Sequence, residues 1–99
     1  MARSRSEEEV FREAIKQYGE AIQLVVLLEE MSELQKEICK SFRFERITRK
    51  RYIAEELADV EIMLEQAKMI YGIDNDEIEM WRLDKVVRLK ERLGMLSDN

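Results

Sequence analysis

The chain has 99 residues, 22 of them acidic and 17 basic, and contains neither histidine nor proline. This length makes one domain with a thin core, and a net charge of −5 disfavours general nucleic-acid binding. Without histidine, any bound metal must be held by oxygen, which favours Mg²⁺ or Mn²⁺. Cys39 is the single cysteine, so an internal disulfide is excluded and a reducing cytoplasm fits. We expect Cys39 to be a small packing residue.

The spacing of apolar residues and two capping boxes predict four helices. In each box a Ser or Asp precedes a Glu by three residues, Ser6 with Glu9 and Asp74 with Glu77. We therefore expect one all-α domain over 1–99, an antiparallel bundle of about four helices, with residues 1–5 disordered. The predicted helices are 6–18, 20–40, 50–71 and 74–93, separated at Gly19, at a basic connector over 41–51 and at Gly72.

Helices 2 and 3 carry apolar residues on more than one side. Ile22 and Val25 on helix 2, and Ala58 and Ile62 on helix 3, lie away from the main apolar stripes. A helix that is apolar on two sides is buried on two sides. Four helices in 99 residues cannot easily supply that burial alone, so we expect a homodimer or homotetramer.

Glu56 is the acidic residue that fits a solvated helix least. At 100° per residue it falls in the middle of the apolar stripe of helix 3, with Asp59 at the stripe's edge. Glu30 borders the stripe of helix 2, and Glu33 and Glu37 continue along its flank. Acids at i and i+3 on two packed helices direct four carboxylates at one spot, where Mg²⁺ converts repulsion into coordination. A buried ion pair between Glu56 and an arginine is the alternative.

The two acid blocks resemble the signature of the MazG-like, all-α nucleoside triphosphate pyrophosphohydrolases, EExxE followed by ExxD. The blocks here are EEMSEL over 29–34 and EELADV over 55–60, and 22 residues separate Glu33 from Glu56. Tyr18-Gly19 followed by Gln23 is also similar to the family's first helix turn, and the resemblance covers residues 11–93. It implies an α bundle that assembles as dimers or tetramers.

The resemblance also implies an activity, the Mg²⁺-dependent hydrolysis of nucleoside triphosphates to monophosphate and pyrophosphate. Expected substrates are dNTPs or non-canonical NTPs, in cytoplasmic nucleotide-pool sanitation, with Mn²⁺ as a substitute metal. A water oriented by Glu33 or Glu37 would attack the α-phosphorus. Where the family has an asparagine two residues before its lysine, this chain has Leu83. The implied metal ligands are Glu30, Glu33, Glu56 and Asp59, and the implied substrate contacts are Lys85, Arg88 and Gln23.

Several alternatives stay open at this point. Lys50 and the other connector bases either close over the triphosphate or form a solvated loop, and Phe42, Phe44 and Trp81 are expected to lie in the core. The chain could instead be a non-catalytic, oligomeric helical adaptor whose acidic flank binds a basic partner. Nucleic-acid binding through 42–51 is disfavoured by the acidic remainder of the chain. The absence of a glycine-rich loop excludes a P-loop NTPase, and no apolar run is long enough to span a membrane.

Overall fold

The computed structural model describes residues 6–95, and over this range the chain is helical without any strand. The predicted all-α fold with four helices is confirmed. The expected disorder of residues 1–5 lies outside the described residues. No helix in the described part is long and apolar enough to cross a membrane. The helices are α1 (Glu7–Tyr18), α2 (Glu20–Ser41), α3 (Arg46–Tyr71) and α4 (Asn75–Arg92).

Local hydrogen bonds explain where three of the helices begin or end. The Ser6 hydroxyl accepts from the Glu9 N–H at 3.2 Å, and the Asp74 carboxylate accepts from the Glu77 N–H at 2.8 Å. Both predicted N-caps are therefore confirmed. Gly72 ends α3 in the left-handed region at φ +66, where its N–H bonds back to the last turn of the helix.

Helix α3 begins at Arg46, so the predicted start near Lys50 was wrong and the connector shrinks to 42–45. The segment contains no glycine or proline that would oppose a helix. The Thr48 hydroxyl donates to the Glu45 carbonyl at 2.7 Å, and Arg49 forms an ion pair with Glu37 of α2. These contacts hold the first turn of α3 in place.

Helices α2 and α3 form an antiparallel pair, and α1 packs against both. Buried residues lie between α2 and α3, with Val60 and Met63 as the buried apolar residues. Three cross-helix contacts show the antiparallel direction, because the position on α3 falls as the position on α2 rises. The contacts are Gln23 with Gln66, Glu30 with Asp59, and Glu37 with Arg49.

The inward side of α2 is only in part the apolar stripe that the sequence predicts, which consists of Leu24, Leu27, Leu28, Met31, Leu34 and Ile38. Leu24, Leu27 and Leu34 are half-buried, whereas Leu28, Met31 and Ile38 are exposed. Three polar residues at heptad spacing also face inward. They are Gln23, Glu30 and Glu37.

Three further expectations of burial, for Cys39, Phe42 and Phe44, were also wrong. Cys39 is exposed on α2, and Phe42 and Phe44 are exposed in the connector, beyond the region where the helices pack. The guanidinium of Arg46 lies 5.9 Å from the centroid of the Phe42 ring, so this aromatic contacts a neighbouring base rather than a core.

Helix α4 lies apart from the other three helices. Within residues 6–95, no Cα atom of α4 comes within 8 Å of a Cα atom of another helix, and every α4 residue is exposed. Trp81, which we expected in the core, is 54% exposed, so that prediction was wrong. The first turn of α4 meets α3 through Lys68, whose Nζ donates to Asn75 Oδ1 at 3.0 Å.

Candidate metal centre

Three carboxyl groups converge between α2 and α3. One oxygen each of Glu30, Glu56 and Asp59 lies within 4.8 Å of the other two. Glu30 comes from α2, whereas Glu56 and Asp59 lie three residues apart on one side of α3. All three side chains are partly buried. The structure thus brings together three of the four acids that the sequence pattern singled out as ligands.

The fourth predicted ligand, Glu33, stands at the edge of this cluster. Its side chain is half exposed, and its Oε1 lies 3.6 Å from Lys36 Nζ. Its charge still raises the pKa of both Glu30 and Glu56, so Glu33 is close enough to act on the cluster electrostatically. Because it is exposed, a change of rotamer can turn its carboxylate without moving the backbone.

Crowding and burial shift the protonation of the cluster. Burial is the first cause that raises the pKa of Glu56, followed by the negative charges of Asp59 and Glu33. Burial also raises the pKa of Glu30, followed by the charges of Asp59 and Glu56 and by a hydrogen bond with Asp59. Both shifts favour the protonated forms of Glu30 and Glu56, because the three carboxyl groups are crowded together between the helices.

One oxygen of Glu56 has no partner for its lone pairs. Oε2 is buried and accepts no hydrogen bond from any group in residues 6–95. Buried polar atoms are normally satisfied, so an orphaned carboxylate oxygen beside two other carboxyl groups calls for a positive partner.

The donor set suits a hard divalent cation. Oxygen ligands at about 2.1 Å from Mg²⁺ lie about 3–4 Å from one another, so the observed separation requires only a small closing movement. The alternative of a buried ion pair with an arginine is not formed, since no ion pair among the described residues involves Glu30, Glu56 or Asp59. The residues present therefore fit a divalent cation.

Glu37 is held by two bases at the connector end of the helix pair. Its Oε1 accepts from Arg49 Nη2 at 2.5 Å, and its Oε2 lies 3.3 Å from Lys40 Nζ. The hydrogen bond from Arg49 is the main cause that lowers the pKa of Glu37. The Arg49 guanidinium also lies 4.5 Å from the centroid of the Tyr52 ring. Both oxygens of Glu37 are thus engaged in joining the end of α2 to the start of α3.

A pair of glutamines marks the opposite end of the same interface. Gln23 Nε2 donates to Gln66 Oε1 at 2.7 Å, and both side chains are buried. Gln23 lies about 10 Å along α2 from Glu30. The side chain predicted as a substrate contact is therefore engaged between the helices. Our sequence reasoning missed Gln66 and the role of Arg49, although both stand seven residues from a cluster acid on α3.

The predicted phosphate contacts stand away from the carboxylates within one chain. Lys85 and Arg88 line a shallow cleft of about 510 Å³ on α4, together with Glu91 and Arg92. Arg88 Nη2 lies 2.9 Å from Asp84 on the same helix. Lys50 is exposed near the start of α3. The structure of one chain does not bring these bases to the cluster.

Comparisons of the chain with protein-family models, with curated proteins and with solved structures gave no match. The resemblance to MazG-like enzymes therefore depends on the two acid blocks and their spacing alone.

Proposed function

We propose that this protein hydrolyses nucleoside triphosphates to monophosphate and pyrophosphate, using a divalent cation held by Glu30, Glu56 and Asp59. The observation that carries the proposal is the meeting of three carboxyl groups from two helices around a buried Glu56 oxygen that has no partner. Structural acids on a helix face are solvated or paired, whereas Glu56 Oε2 is buried and has no partner within residues 6–95. The substrate class comes from the resemblance of the two acid blocks.

In this proposal some side chains bind the cation and another orients the attacking water. A Mg²⁺ ion at this site supplies positive charge to the triphosphate and makes a bound water more acidic. The carboxylates fix the position of that charge between two rigid helices. Phosphoryl transfer needs positioning and electrostatic stabilisation more than covalent chemistry, so a rigid helix pair is a suitable support.

Glu33 suits the role of orienting the attacking water better than Glu37 does. Glu33 borders the cluster and is half exposed, and its exposed contact with Lys36 at 3.6 Å does not prevent its carboxylate from turning. Glu37 has both oxygens engaged by Arg49 and Lys40, and its lowered pKa opposes proton uptake. We therefore assign water orientation to Glu33 and a supporting role to Glu37.

Substrate binding requires positive charge that the cluster itself lacks. Lys85 and Arg88 can reach a triphosphate at the carboxylates only when α4 moves toward them or another copy of the chain supplies α4. The exposed apolar residues of α2, α3 and α4 also favour an assembled dimer or tetramer. We place the active assembly in the cytoplasm, with dNTPs or non-canonical NTPs as substrates.

One observation favours the adaptor as a second candidate. Helix α4 stands outside the core and exposes large apolar residues such as Trp81, a common feature of proteins that bind other proteins. An adaptor with an acidic flank predicts binding without metal dependence and without nucleotide turnover. An adaptor of this kind gives the unpaired Glu56 oxygen no role.

An assay of pyrophosphate release distinguishes the hydrolase from the adaptor. Wild type is assayed on a panel of NTPs and dNTPs with Mg²⁺ or Mn²⁺, with and without EDTA, beside Glu56→Gln. The matched control is Glu29→Gln, an exposed neighbour of Glu30 on the same helix. The proposal predicts turnover that requires metal, is kept by Glu29→Gln and is lost in Glu56→Gln.

A binding measurement separates loss of the metal site from loss of the substrate site. Mg²⁺ or Mn²⁺ at about 100 times its dissociation constant stabilises the folded protein by about 2.7 kcal/mol. A melting temperature that rises with metal in wild type, but not in Glu56→Gln, supports the metal site even if the substrate is missing from the panel. Neither turnover nor a metal-dependent melting temperature would leave the adaptor as the better account.

A further inference from the structure

An open groove runs along the side of α3 that faces away from the carboxylates. It lies between α1, the second half of α3 and the first turn of α4, and its volume is about 1190 Å³. Ile62, Ile73 and Ile78 line it and are 38–43% exposed. The buried residues Val60 and Met63 lie on the other side of α3, so the groove is separate from the metal centre.

The rim of the groove is acidic. Five acidic and two basic side chains line it. The two bases already pair with rim acids, Arg12 with Glu8 and Lys68 with Glu65, so excess negative charge remains. The other three acids are Glu7, Glu61 and Asp74.

The C-terminal half of α4 has the complementary character. Residues 85–92 contain four basic side chains and one acidic one. Val86, Val87 and Leu89 in the same segment are exposed because α4 packs on no other helix within the described chain. Eight helical residues are about 12 Å long and occupy about 950 Å³ at a diameter of about 10 Å, which is comparable to the volume of the groove.

We propose that the C-terminal half of α4 from a second copy of this chain occupies the groove. The basic residues would meet the acidic rim, and the apolar residues would cover the exposed isoleucines. Hydrophobic burial then supplies affinity and the charges supply register.

A two-fold axis makes this contact reciprocal. The first turn of α4 is itself a wall of the groove, through Asn75 and Ile78. A partner α4 in the groove therefore meets this first turn, and we orient the two helices antiparallel so that the basic half of one faces the first half of the other. That first half, 75–84, carries four acidic residues and one basic residue. The same contact occurs twice and closes the dimer.

Exposed positions allow the interface to be tested without disturbing the core. The full chain is studied by sedimentation equilibrium as wild type, Ile62→Asp in the groove and Val87→Asp on α4. Ile47→Asp is the control, since Ile47 is 82% exposed and does not line the groove. We expect each interface variant to keep its far-ultraviolet helical signal and to raise the dissociation constant at least about tenfold. The control should match wild type.

A charge exchange tests the complementarity of rim and helix independently. Glu61→Arg on the rim and Arg92→Glu on α4 should each weaken association, because each puts like charges together, and the double variant should recover part of it because rim and helix again include opposite charges. A wild type that remains monomeric at its highest soluble concentration would overturn the proposal. So would variants of Ile62 and Val87 that associate as tightly as wild type. These readouts need no nucleotide or metal, so they stand whether or not the proposed activity is found.

Discussion

The buried glutamine pair should behave as one coupled unit in folding. Gln23 and Gln66 are only 7% and 3% exposed, and a single hydrogen bond of 2.7 Å joins them. Gln23→Leu removes the donor and leaves the Gln66 oxygen buried without its partner. Gln66→Leu leaves the Gln23 amide in the same condition. Either change should lower the free energy of unfolding by about 1–3 kcal/mol, the cost of a buried polar group left unsatisfied.

The double variant removes both polar groups at once. Leucine is close to glutamine in size, so the helix interface keeps its volume and gains apolar surface. We expect Gln23→Leu/Gln66→Leu to lie within about 1 kcal/mol of wild type, which makes the magnitude of the interaction free energy of the cycle at least about 1 kcal/mol. For a domain of this size, 1 kcal/mol shifts the melting temperature by about 4–8 °C.

Urea unfolding of all four proteins provides the measurement. It is followed by circular dichroism in EDTA at one protein concentration, because metal binding and association both change apparent stability. Additive losses, with the double variant as unstable as the two single variants together, would refute the coupling and show that the amides act separately.

Three further predictions concern the same helix pair. The pKa of Glu37 is lowered, so its contribution to stability is present above the ordinary pKa of 4.5 and is lost as pH falls through the pKa of the folded protein. Arg49→Gln removes the main cause of this shift. In a plot of urea midpoint against pH, the variant should therefore lose less stability than wild type on the acid side. Because the pKa of Glu56 is raised, its stabilising contribution is present below 4.5 and is lost as pH rises through the folded value. Metal-free Glu56→Gln should therefore be more stable than wild type at neutral pH, and an equal or lower urea midpoint would contradict this. Met63→Ala should lower the free energy of unfolding by about 2–5 kcal/mol in the same assay, because Met63 is one of the buried apolar residues, and a loss below 1 kcal/mol would show that the site collapses.

Helix ends that depend on local chemistry were predictable from the sequence. Ser6, Asp74 and Gly72 act through bonds to residues within a few positions, so their roles can be read along the chain. The start of α3 was not predictable in this way. Its N-cap residue Glu45 makes no side-chain capping bond, and part of what holds the first turn is the pairing of Arg49 with Glu37, which lies twelve residues earlier on another helix.

The candidate site was predictable where a polar residue interrupts an apolar stripe. Glu56 stood out on α3 because its neighbours in projection are apolar, and the structure places it inward. On α2 the same reasoning located the inward side only in part. Leu24, Leu27 and Leu34 are half-buried there, but Gln23 and Glu37 are the buried residues, and a polar residue at a buried position cannot be told from a solvated one by spacing alone. An amphipathic pattern indicates that one side of a helix is covered, but it does not show which element covers it. We therefore assigned Trp81 to the core of a single chain, whereas the structure leaves it exposed on α4.

The separation of α4 divides the chain into two parts with different constraints. Helices α1–α3 must keep their packing and the placement of the carboxylates, so their sequence has little freedom. Beyond the contact of Asn75 with Lys68, substitutions on α4 leave that packing unchanged, so their effect falls on what α4 itself recognises. In a two-fold assembly every such substitution occurs twice, so its effect on the free energy of association would be doubled.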